Sequence, residues 1–118
     1  MPTHTIHTMY YTFHQNNIGG GFIQNTGVGA YLIIESQNAE EAQRKARAIA
    51  CEFGAAGFGA DRRWDYFYIT EDEATMQPEI HGLPPEEYLI GKFRRNETAV
   101  VHHYCGKVRS IEAKETNA

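Results

Sequence analysis

Cysteine is scarce in this chain, with Cys51 and Cys105 the two present among 118 residues. That excludes the disulfide framework of small secreted domains, and reduced thiols are the expected state. Positive charge is also short. Eleven Lys and Arg stand against 15 Asp and Glu, a formal net charge of -4. Non-specific nucleic-acid binding, which needs a basic surplus to neutralise phosphates, is therefore not expected. No apolar run approaches the roughly 18–20 residues that a bilayer span requires. Residues 1–7 lack the basic and apolar regions of a signal peptide, so the expectation is a cytoplasmic protein with no membrane contact.

Aromatic residues are plentiful: seven Tyr, six Phe and one Trp, enough mass for a core built on a sheet. The length suits a single domain over residues 1–118, with residues 1–8 and 114–118 as frayed tails. Aromatic and β-branched runs predict strands at residues 9–14, 30–35, 64–70, 99–104 and 108–113, with a brief one at Phe22-Ile23. Between them, Asn38 followed by Glu41 reads as a helix N-cap with a capping box. Ala42, Ala46, Ile49, Ala50 and Phe53 then form one apolar stripe, and Gly54 ends the helix. Residues 54–60 read as a link and the Glu71-Asp72-Glu73 run as a solvated turn. Pro84-Pro85 can open a short helix. The fold class is α+β: a mainly antiparallel sheet of about 4–6 strands with one main helix packed on one face.

One segment stands apart from this pattern. Gln15-Asn16-Asn17-Ile18-Gly19-Gly20-Gly21 places three amides and three glycines between two predicted strands. Turn chemistry alone accounts for such a composition, and it is the blander of two readings. In the other, Gly19, Gly20 and Gly21 let the backbone cradle an anionic ligand while Gln15, Asn16 and Asn17 read its polar groups. Farther on, Arg62-Arg63-Trp64 joins two guanidiniums to an indole. Solvated arginines beside a core tryptophan are the plain reading. Phosphate clamping by Arg62 and Arg63, with Trp64 or Tyr11 stacking on a base, is the sharper one.

Three pieces in order carry a resemblance: Gln15-Asn16-Asn17-Ile18-Gly19-Gly20, Asn38-Ala39-Glu40-Glu41-Ala42 and Asp61-Arg62-Arg63-Trp64. Over roughly residues 10–90 the chain resembles an uncharacterised family of small tailed-phage and prophage proteins. Relatives carry a cysteine-rich knuckle before the Asp-Arg-x-Trp piece, where this chain has Gly54-Ala55-Ala56-Gly57-Phe58-Gly59-Ala60. The zinc site such a knuckle implies is not expected here. The resemblance implies a phage setting, the host bacterial cytoplasm, and a role against host defence.

Other chemistry is thinly represented. His4 and His7 sit in a polar leader, and His102 and His103, adjacent in a strand, point to opposite faces, so neither pair can readily share a metal ion. Cys51 reads as packed at the end of the helix stripe, and Cys105 as exposed in a turn. No nucleophile elbow or phosphate loop is present. With no catalytic residues, metal or cofactor indicated, the expectation is a non-enzymatic binding protein. It would sequester a nucleotide-like ligand, and a homo-oligomer is expected. The alternatives are an inhibitor or adaptor acting on a host enzyme and, third, a small nucleotide-degrading enzyme.

Overall fold

The computed structural model describes residues 6–16, 22–55, 60–90 and 97–112. Asn17, Gly19, Gly20 and Gly21, the glycine-rich half of the expected cradle, lie outside the described residues, as does His4.

Four strands form one mixed sheet in the order β1 (Met9–His14), β2 (Tyr31–Ser36), β3 (Thr98–His102) and β4 (Val108–Glu112). The outer pairings are antiparallel and the central β2–β3 pairing is parallel. The parallel pair is what demands a crossover, and α1 (Ala39–Glu52) begins it. Phe22-Ile23 joins no strand. The fold is α+β, with one main helix against a four-stranded sheet.

Alternation along the strands sends side chains to two cores. On one face Tyr11, Phe13, Leu32 and Ile34 meet the α1 stripe, where Ala42, Ala46 and Ala50 are fully buried. Alanine at these positions lets the helix backbone lie close to the sheet. On the other face Tyr31, Ile33, Ala99, Val101 and Ile111 are covered by Ile80 and Leu89 from the segment leading into and out of α3 (Pro85–Tyr88).

The start of α1 is secured as its sequence foretells. Asn38 Oδ1 accepts the Glu41 N–H at 2.8 Å. The Glu41 carboxylate returns to Ser36 Oγ at 2.5 Å and the Gln37 N–H at 3.0 Å, a residue or two beyond the expected partner. Those bonds hold the Glu41 carboxyl below the ordinary glutamate range. At the other end Gly54 takes a φ of 72°, the left-handed conformation that glycine adopts without penalty. Cys51 is exposed rather than packed. One residue past Ala50 the helix has turned about 100°, off the apolar stripe.

Residues 64–70 correct the sequence reading most sharply. They form no strand. A short helix α2 (Ala60–Arg63) runs into a left-handed turn at Asp65–Phe67, with φ of 52°, 62° and 54° at Asp65, Tyr66 and Phe67. The cause is packing. Trp64 and Phe67 stack with ring centroids 5.7 Å apart and both are buried. Side chains three residues apart can share one side only if the chain doubles back, whereas a strand would alternate them. Three non-glycine residues at positive φ cost on the order of 1–2 kcal/mol each, and the buried aromatic pair on either side holds them there.

Candidate functional site

The sheet ends at β1 in an outer edge whose backbone groups belong to Tyr10, Thr12, His14 and Asn16, because Gln15 and the other odd-numbered residues pair inward with β2. Two of these positions are closed by the chain itself. Tyr10 and Thr75 exchange backbone hydrogen bonds of 2.8 and 2.9 Å, and the Asn16 N–H donates to the Arg63 carbonyl at 2.8 Å.

The Asn16 contact joins the two sequence motifs. Asn16 Nδ2 also donates to the Arg62 carbonyl and, at 3.1 Å, to Asp65 Oδ1. The Arg63 guanidinium donates to Gln15 Oε1 at 3.3 Å. Motifs separated by nearly fifty positions in the chain therefore meet at the end of β1. From α1, Arg47 Nη2 reaches the Tyr66 carbonyl at 3.4 Å, and its guanidinium lies 5.1 Å from the Phe67 ring centroid. Arg62 is exposed and Arg63 half-buried. Arg63 and Arg47 thus bring two guanidiniums to a rim in the neighbourhood of the Asp65–Phe67 turn, with Arg62 exposed next to Arg63 in the chain and the Asp65 carboxylate engaged by Asn16.

Within this set several expected roles are corrected. Trp64 is 2% exposed, with its indole Nε1 donating to the Ala55 carbonyl at 3.1 Å, and Tyr11 is 1% exposed. Neither ring has a face for a ligand to stack on. Gln15 is buried and spent internally: its Nε2 donates to the Ile23 and Gly29 carbonyls at 2.7 and 2.8 Å, and its Oε1 accepts the Ile23 N–H at 3.0 Å. It fixes the loop between β1 and β2 instead of reading a ligand. The exposed ring at this rim is Tyr66, 61% accessible and thrust outward by the left-handed turn. No sequence signal marks Tyr66, because its exposure follows from the left-handed turn at Asp65–Phe67.

A second polar cluster sits on the face opposite α1, toward the end of the sheet where β1 begins. A pocket of about 450 Å³ is lined by Thr8, Glu35, His103, Cys105 and Lys107, among others. His103 Nδ1 lies 3.1 Å from the Tyr10 hydroxyl and 3.6 Å from Glu35 Oε1. His102, on the other face, has Nε2 2.7 Å from the Gly27 carbonyl, so the two adjacent histidines diverge. Burial pushes the Glu35 carboxyl up, but hydrogen bonds from Thr8, the Tyr104 N–H and Tyr10, helped by His103, outweigh it and hold the group below its ordinary range. Thr8, in a stretch expected to fray, is thus tied to the sheet. Cys105 is exposed and neither thiol is paired. Among the described residues no group of His, Cys, Asp and Glu has the arrangement of a metal site, and no helix is long and apolar enough to cross a membrane.

Fold and site together define a small α+β domain with an arginine-lined rim at one sheet edge. The chain belongs to the family described as Domain of unknown function (DUF7296), which matches residues 8–118. No curated protein and no solved structure matches it.

Proposed function

We propose that this chain is a non-enzymatic binding protein that sequesters a small, phosphate-bearing, nucleotide-like ligand at the rim where the end of β1 meets Arg62 and Arg63. The observation that carries the reading is the double link of Asn16 to the Arg62 and Arg63 carbonyls, which holds two arginines beside the amide-rich turn. Arg47 adds a third guanidinium beside an exposed tyrosine. Guanidiniums grip phosphate oxygens bidentately, and a solvent-facing ring supplies the stacking surface a base requires. In this reading Arg47, Arg62 and Arg63 hold phosphate and Tyr66 stacks. The amide of Asn16 borders the same rim, and Asn17, Gly19, Gly20 and Gly21, outside the described residues, are proposed as the rest of the cradle.

The resemblance to small phage and prophage proteins supplies the setting: a host bacterial cytoplasm in which a captured immune signalling nucleotide no longer reaches its effector. A homo-oligomer with ligand held between subunits fits that role. Replacing Arg62 and Arg63 together by alanine tests the assignment, because binding of nucleotides that survived this change would place the site elsewhere.

A second reading, an inhibitor or adaptor acting on a host enzyme, draws on the exposed Tyr66, Tyr68 and Met76, at 61%, 72% and 81% accessibility. Stoichiometric co-purification of a host protein, with no nucleotide retained, would favour it.

A further inference from the structure

On the sheet face away from α1, beside the open part of the β1 edge, lies a cavity of about 400 Å³. That is within the range of small-molecule sites, roughly 300–1,000 Å³. Its walls are of three kinds. Aromatic rings come from His14, Tyr31 and His81: His14 stacks on Tyr31 with centroids 6.1 Å apart, and His81 lies 5.3 Å from the Tyr88 ring, which packs edge-on against Tyr31. Carboxylates come from Asp72, Glu73 and Glu79. Backbone comes from Thr12 and His14, whose peptide groups face the outer edge of β1.

The chain does not use most of this polarity. Thr75 closes the edge at Tyr10 and Arg63 closes it at Asn16, but between them the Thr12 and His14 peptide groups meet no backbone partner among the described residues. Glu79 engages the fold through its carbonyl, which accepts from Thr12 Oγ1 at 2.6 Å. Glu73 caps Thr70 with one carboxylate oxygen, at 2.9 and 3.1 Å. Among the described residues, no hydrogen bond reaches the Asp72 or Glu79 carboxylate. Among the described residues, no lysine or arginine lines the cavity.

We infer that this cavity is a binding site for a small organic cation, a primary amine or guanidinium compound. Carboxylates and carbonyl oxygens accept the N–H groups of such a ligand, and the Tyr31 ring attracts its charge. The same walls disfavour phosphate, whose charge they repel. The site is therefore distinct in chemistry and in residues from the arginine rim, and neither proposal depends on the other.

Titration calorimetry of the full chain with putrescine, agmatine and tyramine tests the inference, with glucose and AMP as neutral and anionic controls. At least one amine is expected to bind and to shift the His14 and His81 ring resonances in NMR spectra. Its affinity is expected to fall at least tenfold in the double variant Asp72→Asn, Glu79→Gln. It should hold in Arg62→Ala, Arg63→Ala, which separates this site from the rim. Circular dichroism confirms that the variants fold, and the resonance shifts in the unaltered protein need no variant at all. Absence of amine binding, equal binding of glucose, or unchanged affinity in the carboxylate variant would each overturn it.

Discussion

The Tyr11 hydroxyl, inside the core beneath α1, donates to Glu71 Oε2 at 2.9 Å, and the other oxygen of the same carboxylate accepts the Ala39 N–H in the first turn of the helix. One side chain from the Glu71–Glu73 turn thus ties β1 to the start of α1. The acidic run is not a uniformly solvated one, as composition suggests: Glu71 and Glu73 are both structural. A carboxylate at a helix N-terminus also meets the positive end of the helix dipole.

Glu71→Ala therefore removes partners from a buried hydroxyl and from a helix N–H. The expected loss is about 1–3 kcal/mol, read as a lower urea midpoint at unchanged slope. Tyr11→Phe, which removes the donor and leaves the carboxylate with Ala39, should cost less. A double-mutant cycle should show the two changes to be coupled.

The same contact has an alkaline signature. Burial, with the Glu71 hydrogen bond and charge, pushes the Tyr11 phenol up to about 12 from an ordinary value near 10. The native state holds this proton more tightly than the unfolded chain. Its contribution to stability is complete below about pH 10 and is lost as pH rises toward about 12. Unfolding measured across that window should show declining stability. Ultraviolet titration should show one tyrosine ionising late, and Glu71→Ala should bring it earlier.

Gln15→Ala should be among the more damaging single changes outside the apolar core. It strips the Ile23 and Gly29 carbonyls and the Ile23 N–H of their partner, and a loss of about 2–4 kcal/mol is expected in denaturant unfolding. Retention of full stability would mean that the amide is not the buttress described above.

Two glycines should respond differently to alanine. A methyl group on Gly29 would stand 2.5 Å from the Thr98 carbonyl oxygen, a backbone atom held near the start of the β2–β3 pairing. Gly54 has open space but a φ of 72°. Gly29→Ala is expected to cost about 2–3 kcal/mol through overpacking and Gly54→Ala about 1–2 kcal/mol through strain, a ranking that thermal melts can check.

Tyr66→Gly separates stability from binding. Glycine accepts the left-handed conformation that tyrosine resists, so folding should be unharmed. The exposed ring is lost, so nucleotide affinity should fall roughly tenfold, the lower part of what one stacked base is worth. Unchanged affinity would remove Tyr66 from the site.

What could be read in the sequence follows from how local each signal is. Asn38, Glu41 and the alanine stripe act within a few residues, and the helix, β2 and the terminal hairpin stand where those signals put them. The parallel β2–β3 pairing depends on residues 68 positions apart, and nothing local encodes it. Residues 64–70 misled because β-propensity in aromatic residues reflects burial on a pleated surface, and stacked Trp64 and Phe67 achieve burial by another route. In a strand Trp64 and Tyr66 would share one face; the left-handed turn separates them, burying Trp64 and exposing Tyr66. Residue chemistry singles out Asn16, Arg62 and Arg63 separately, and only the folded chain brings Asn16 within hydrogen-bonding distance of the Arg62 and Arg63 carbonyls.

The central claim, capture of a phosphate-bearing ligand at the arginine rim, is tested most directly by native mass spectrometry. The purified chain would be mixed with a panel of cyclic nucleotides and ADP-ribose derivatives, beside its Arg62→Ala, Arg63→Ala variant. The account predicts an intact nucleotide retained by the unaltered protein and lost from the variant, with the same spectrum giving stoichiometry and subunit number. Bare protein with every nucleotide, or a nucleotide retained equally by the variant, would contradict it.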